Sequence, residues 1–248
     1  MGEPTASWVM EVLGPIVFLG FIVWAVVNTR RSRRLSLVSL ALIAGTTMWW
    51  QEWYGDWGSY LLYNPHFRLL PWRSSLWTTP NKPWFVIAAY GWYYAVIFPL
   101  MLALIARVRS ARPTWNRHVV AIGVSLVLFY AWDLLVEGGA SVLGWWSYTD
   151  VAGAAIHSSK GTFPLLFPIL LFCFFGVVAT WILDQRDDLG RVRFEVVAGV
   201  GRVREGWRRE LGRAGAWVVL FNGLYVVCLI APLVAWREVW GAASALVP

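Results

Sequence analysis

The stretch that decides the fold is His118-Val-Val-Ala-Ile-Gly-Val-Ser-Leu-Val-Leu-Phe-Tyr-Ala-Trp-Asp133-Leu-Leu-Val-Glu137-Gly-Gly-Ala-Ser-Val-Leu143. Its only acids or strong bases are Asp133 and Glu137, and it exceeds the ~20 mostly apolar residues that cross a bilayer as a helix. Five more runs of the same kind are present: Trp8–Asn28, Leu35–Trp53, Trp84–Ala106, Pro164–Leu183 and Ala214–Trp236. The first has no basic stretch ahead of it and does not read as a cleaved signal peptide. Six runs with no Pro- or Ser-rich linker and no evident internal repeat predict one all-α domain over 1–248, a polytopic membrane helix bundle.

Composition agrees. The 248 residues are 58% hydrophobic and 14% charged, with mean hydropathy +0.56. A soluble domain carries about 25% charged residues to cover its exterior, so soluble, disordered and disulfide-scaffold classes are poor fits. Cys173 and Cys228 both fall inside apolar runs, and three histidines (His66, His118, His157) cannot make a convincing metal site.

The cations give an orientation. Arg30, Arg31, Arg33 and Arg34 follow the first run. Arg107, Arg109, Arg112 and Arg117 follow the third, and eight arginines from Arg186 to Arg213 follow the fifth. That places 16 of the 21 Lys and Arg in alternate loops. The pattern fits the positive-inside bias of a plasma-membrane protein with Arg-rich loops cytoplasmic and both termini outside, rather than nucleic-acid binding. The stretch Phe194–Arg213 reads either as a basic surface helix or as a solvated loop.

Acids inside a bilayer are costly and tend to mark function. At 1.5 Å per residue from the basic end, Glu52 lies ~25 Å up its span, Asp133 roughly 22 Å and Glu137 roughly 28 Å. Asp56 and Asp150 lie just past the ends of their spans, and Glu11 sits near the outer start of the first. These acids are expected at one depth, in the outer third of the bilayer. Asp133 and Glu137 are four apart, as are Glu52 and Asp56, so each pair shares a helix face. Like charges stacked in a dry site favour one protonated member beside an ionised one, which is the pairing that general acid/base chemistry needs. The bland alternative is that the acids pair with Arg68, Arg73, Lys82 or Lys160 and staple the outer loops together.

Eight tryptophans fall between positions 49 and 92: Trp49, Trp50, Trp53, Trp57, Trp72, Trp77, Trp84 and Trp92. Tyr63, Tyr90 and Tyr94 accompany them, while Trp132, Trp146 and Tyr148 bracket the second acid pair. Trp and Tyr belts anchor membrane proteins, but this concentration exceeds a belt. Aromatic faces attract cations when water is excluded, so an indole-lined cavity beside a carboxylic acid suits a carbocation or oxocarbenium intermediate. A lipid or quinone pocket without chemistry has the same composition. The 30-odd residues of Trp53–Pro83, with Asn64 near their start, are expected to fold over the outer mouth as an aromatic-rich lid. Gly144–Phe163 is expected to be partly re-entrant. No GxSxG elbow or HExxH signature is present.

The segments Asp133-Leu-Leu-Val-Glu137, Gly144-Trp-Trp-Ser-Tyr148 and Asp187-Asp188-Leu-Gly190-Arg191 resemble actinobacterial AveC-type spirocyclases. Tyr63-Asn64 and Ala89-Tyr-Gly-Trp-Tyr-Tyr94 fit the same pattern. The resemblance spans roughly residues 45–195 and departs at Trp146, where a Tyr is expected, and at Pro164-Leu-Leu-Phe167, which lacks an acid. It implies a small integral membrane cyclase acting by dehydration and spiroketal closure, with Asp133 and Glu137 as acid/base residues and Tyr148 and Tyr63-Asn64 lining the site.

The expected catalytic residues are thus Glu52, Asp133, Glu137 and Asp56. The expected substrate-binding residues are Trp50, Trp53, Tyr63, Asn64, Tyr90, Tyr94, Trp146 and Tyr148. The substrate is expected to be a lipophilic small molecule drawn from the bilayer, and the chemistry requires no metal or organic cofactor. A membrane terpene cyclase acting on a prenyl chain and a non-catalytic lipid-binding subunit are the alternatives.

Overall fold

A computed structural model describes residues 2–71, 77–79, 81–241 and 243–247. The deciding stretch forms helix α5, Arg117–Leu143. The Asn116 side chain caps it by accepting from His118 N and Val119 N at 2.9 and 3.4 Å. Gly144 ends it at φ 77°, a left-handed turn that a residue without a Cβ adopts freely. Three other helices among the described residues are long and apolar enough to cross a membrane: α1 (Val9–Ser32), α4 (Val86–Ala111) and α8 (Trp207–Trp240).

Two expected spans differ. The run Leu35–Trp53 is not one helix but α2 (Leu37–Thr46), a 3₁₀ turn at Trp49–Gln51, and α3 (Glu52–Ser59). The break falls at two consecutive threonines, whose hydroxyls donate back to Leu42 O and Ala44 O at 2.7 Å. Such back-bonding bends helices. The run Pro164–Leu183 gives α6 over Ile169–Asp184, 16 residues and so about 24 Å. Pro164 and Pro168, which lack a backbone N–H, hold its start back to Ile169.

Hydrogen bonds tie element ends together at two levels. At the arginine end, Leu35 N donates to Glu210 Oε2 (2.8 Å), Arg109 pairs with Asp184, and Arg117 donates to Gln185 (2.6 Å). At the other end, Thr5 N donates to Leu143 O (2.9 Å), Asn64 Nδ2 to Gly2 O (2.8 Å), and Arg237 to Trp57 O. The amino terminus, the end of α8 and the acid-bearing ends of α3 and α5 therefore share one end of the bundle.

The stretch Phe194–Arg213, readable as a basic surface helix or a solvated loop, is neither throughout: it holds a five-residue α7 (Arg193–Val197), a 3₁₀ turn at Val200–Arg202, and the start of α8 at Trp207. Gly199 and Gly206, at φ 76° and 120°, break the run. Glu195 nevertheless anchors α7, accepting from Trp217 Nε1 (2.8 Å) and Arg213 Nε (3.1 Å).

The core runs along α4, where Tyr94 and Phe98 pack with Phe129, Phe175, Phe221 and Trp217, all buried. The closest helix approach is α2 against α4. A Cβ on Gly45 would stand 2.7 Å from Tyr90 O, so only glycine permits it. Two short antiparallel strand pairs cap the acid end. Strand β1 (Leu61–Tyr63) pairs antiparallel with β2 (Trp146–Tyr148), and β3 (Ala155–His157) with β4 (Thr162–Pro164). The β1–β2 pair locks the loop ahead of α4 onto the loop ahead of α6.

Candidate active site

The break after Thr46 sets the site. It lets α3 restart at Glu52, with Asp56 one turn on and both side chains turned inward, at 9% and 5% exposure. Across the bundle α5 carries Asp133, 1% exposed, and Glu137 one turn later. All four carboxyl groups line one cavity of about 150 Å³ between α3, α4, α5, α6 and α8. A cavity of that size in a packed interior has room for a molecule like benzene.

The two acid pairs are held differently. Glu52 Oε1 accepts from Tyr63 Oη at 2.6 Å, and Lys82 Nζ bonds Asp56 Oδ2 while standing 3.6 Å from Glu52 Oε2. Lys82 is fully buried, 4.8 Å from the Tyr63 ring centre and 5.9 Å from that of Trp53. A short ladder delivers it: Leu70 N donates to Lys82 O (2.7 Å) and Trp84 N to Arg68 O (3.1 Å). Glu137 Oε2 instead accepts from Trp146 Nε1 (2.8 Å) and Tyr148 Oη (3.4 Å). Asp133 Oδ2, Glu52 Oε2 and the Trp92 indole N–H face the same cavity with no hydrogen-bond partner. Unpaired buried polar atoms cost about 1–3 kcal/mol each; these come from α3, α4 and α5 around the cavity, and of the three only Glu52 Oε2 has a cation near it, Lys82 Nζ at 3.6 Å. Burial, reinforced by the neighbouring carboxylates, pushes the Tyr63 and Tyr148 hydroxyls well above the usual phenol range. Both therefore remain O–H donors at any working pH.

Of the twelve residues singled out in the sequence, nine line this cavity: Glu52, Asp56, Asp133, Glu137, Tyr63, Tyr90, Tyr94, Trp146 and Tyr148. Three do not. Trp50 is 46% exposed and faces outward beside Tyr54. Trp53 lies behind the wall, with its ring toward Lys82. Asn64 is a structural tie, donating to Gly144 O (2.7 Å) and accepting from His66 N (3.0 Å). Asp150 is exposed and does not join the acids, while Glu11 accepts from Arg68 N at 2.8 Å. Trp72 and Arg73 lie outside the described residues.

The wall also contains Tyr225, whose hydroxyl lies 2.6 Å from that of Tyr90. Its sequence signal was a tyrosine within an apolar run, three residues after Asn222. Arg237, near the end of α8, is buried 3.9 Å from the Trp57 ring centre and 4.3 Å from that of Tyr60. Among the described residues no group of three His, Cys, Asp or Glu is placed to hold a metal ion.

A family model described as spirocyclase AveC-like matches residues 32–246. The chain belongs to the AveC-like spirocyclase family. No curated protein and no solved structure matches it. The match takes in all four chamber acids, Lys82 and both strands of the β1–β2 pair, and leaves out most of α1. As an AveC-like spirocyclase the chain has a cyclase role, and its apolar helices associate it with a membrane.

Proposed function

We propose that the chain is a membrane-embedded cyclase that closes a spiroketal-type centre on a lipophilic natural product, using carboxyl groups as general acid and base without a cofactor. The observation that carries this is the convergence of four carboxyl groups on one aromatic-walled chamber whose balancing cation is Lys82. One ammonium offsets one carboxylate. Isolated ionised carboxylates in such a site are strongly disfavoured, so the cluster as a whole holds protons and has them to give. An ionised member and a protonated member side by side supply both halves of acid/base catalysis.

The chemistry balances on those groups alone. A substrate hydroxyl adds to a ketone carbon, passing its proton to a carboxylate, while a carboxylic acid protonates the carbonyl oxygen to give a hemiketal. That new hydroxyl takes a proton and leaves as water. The second hydroxyl then adds to the oxocarbenium carbon and gives up its proton. Indole and phenol faces stabilise the cation, and exclusion of water protects it from capture. With the arginine loops cytoplasmic and both termini outside in the plasma membrane, as the charge pattern favours, the chamber lies in the outer half of the bilayer on this reading.

The test is product analysis with protein in lipid nanodiscs. A lipophilic ketone with a hydroxyl on each side, placed to close two six-membered rings, is expected to give the spiroketal with loss of one water. A prenyl epoxide is expected to be returned unchanged. Cyclisation of the epoxide, or of neither compound, overturns the proposal.

A further inference from the structure

The two acid-bearing units of the chamber are copies of one design. Glu52 and Tyr63 are joined by a hydrogen bond across eleven positions, and so are Glu137 and Tyr148. In each unit a helix carries the glutamate and stops at a left-handed residue, Tyr60 (φ 59°) or Gly144 (φ 77°). A three-residue strand follows and ends on the tyrosine. The strands pair antiparallel in the register Leu61↔Tyr148, Leu62↔Ser147, Tyr63↔Trp146. That register puts a local two-fold axis through Leu62 and Ser147, which exchanges Tyr63 with Tyr148. The flanking backbone bonds obey the same axis: Asn64 N donates to Trp145 O (2.9 Å), and Thr149 N donates to Tyr60 O (2.8 Å). The sequence hides this repeat because nothing but the Glu and Tyr positions is shared.

Resting on the cyclase reading above, we infer that each Glu–Tyr unit holds one of the two oxygens bonded to the spiro carbon, so that one unit serves each ring closure. A spiroketal carries two ether oxygens related by a two-fold axis through their common carbon, and the chamber offers two Glu–Tyr pairs related in the same way, each with a phenol that can turn its O–H from the glutamate to a bound oxygen. Tyr63 and Tyr148 are therefore substrate-contacting residues of equal rank. The units differ in their second acid. Asp56 with Lys82 lies one turn after Glu52, whereas Asp133 lies one turn before Glu137 with no ion-pair partner among the described residues. This difference assigns the Glu137 unit to protonating the departing hydroxyl, and the Lys82-bearing Glu52 unit to taking the proton of an attacking hydroxyl.

The experiment uses binding to the full-length protein in nanodiscs and two probes: an unsubstituted spiroketal of two six-membered rings, and the same bicycle with one ring oxygen replaced by CH2. Wild type is expected to bind the two-oxygen probe about tenfold more tightly, the worth of one hydrogen bond. In Tyr63→Phe and in Tyr148→Phe that preference is expected to vanish while the one-oxygen probe still binds, which also reports an intact chamber. Survival of the preference in either variant overturns the two-unit assignment and leaves the cyclase reading standing. Failure of wild type to bind either probe removes both.

Discussion

Replacing Lys82 by Met removes the one ammonium in contact with the Glu52–Asp56 pair while keeping the length of the side chain. The Lys82 side chain is fully buried, and Asp56 and Glu52 are nearly so, at 7% and 11% side-chain exposure. The change therefore leaves a carboxylate facing a dry wall with no opposing charge. Breaking a buried pair from one side costs about 3–5 kcal/mol, because the remaining charge is uncompensated. Lost attraction to the Tyr63 and Trp53 rings adds about 0.5–2 kcal/mol. For a chain of this length each kcal/mol moves Tm by about 2–4 °C, so a fall of roughly 10 °C or more is expected in thermal unfolding followed by tryptophan fluorescence. The Asp56→Asn, Lys82→Met double variant removes the closest charge pair and is expected to recover part of that loss, since it leaves only Glu52, which Tyr63 still holds, without its cation. A Lys82→Met variant within about 1 kcal/mol of wild type, or a double variant no more stable than the single, would show that the pair is not a buried charge couple.

Other expectations follow from single contacts. Gly45→Ala forces a methyl group to within 2.7 Å of Tyr90 O, so α2 and α4 must part; a loss of about 1–3 kcal/mol is expected by the same unfolding assay. The Arg191 guanidinium beside Asp187 holds that exposed carboxyl below its usual range. A lowered folded-state value means the contribution is present at neutral pH and fades as pH falls through it. The amides of Leu189 and Arg191, which both donate to Asp187 Oδ1, should lose protection, measured against the intrinsic exchange rate at each pH, on acidification in wild type but not in Asp187→Asn; equal behaviour counts against the turn. In a cysteine-free background, Leu189→Cys should react with an impermeant maleimide only from the cytoplasmic side and Ser158→Cys only from outside. The reverse pattern inverts the orientation.

The membrane-bundle class is readable because helices in lipid must satisfy their own backbone, which turns an apolar run into structure. Six runs are visible that way, but two do not become single long helices. A threonine pair between α2 and α3, and Pro168 ahead of α6, redirect the backbone at points that hydropathy averages over. The depth argument brings Glu52, Asp56, Asp133 and Glu137 to one level because helical rise is fixed, and the i, i+4 spacing sets their common faces. It misplaces Asp150, since a residue past a helix end has no such ruler. Trp50 misleads for a related reason, since composition identifies an aromatic cluster but not which rings face inward, while Asn64, which the family resemblance implied, instead ties Gly144 O and His66 N. The Glu–Tyr duplication depends on a strand pairing between segments 85 positions apart, and no local pattern announces it. Lys82 is visible as a cation beside aromatics, yet its burial depends on the loop ladder that carries it in.

The central claim is that the chamber carboxyl groups move protons, and single amide substitution at each tests it most directly. Glu52→Gln, Asp133→Asn, Glu137→Gln and Asp56→Asn should each retain the fold by circular dichroism. At least Glu52→Gln and Glu137→Gln should slow conversion of the dihydroxyketone by about 10²–10⁴-fold, the usual worth of a positioned acid or base. Wild-type turnover in all four folded variants would contradict the account and leave a membrane bundle with an aromatic cavity but no acid/base machinery.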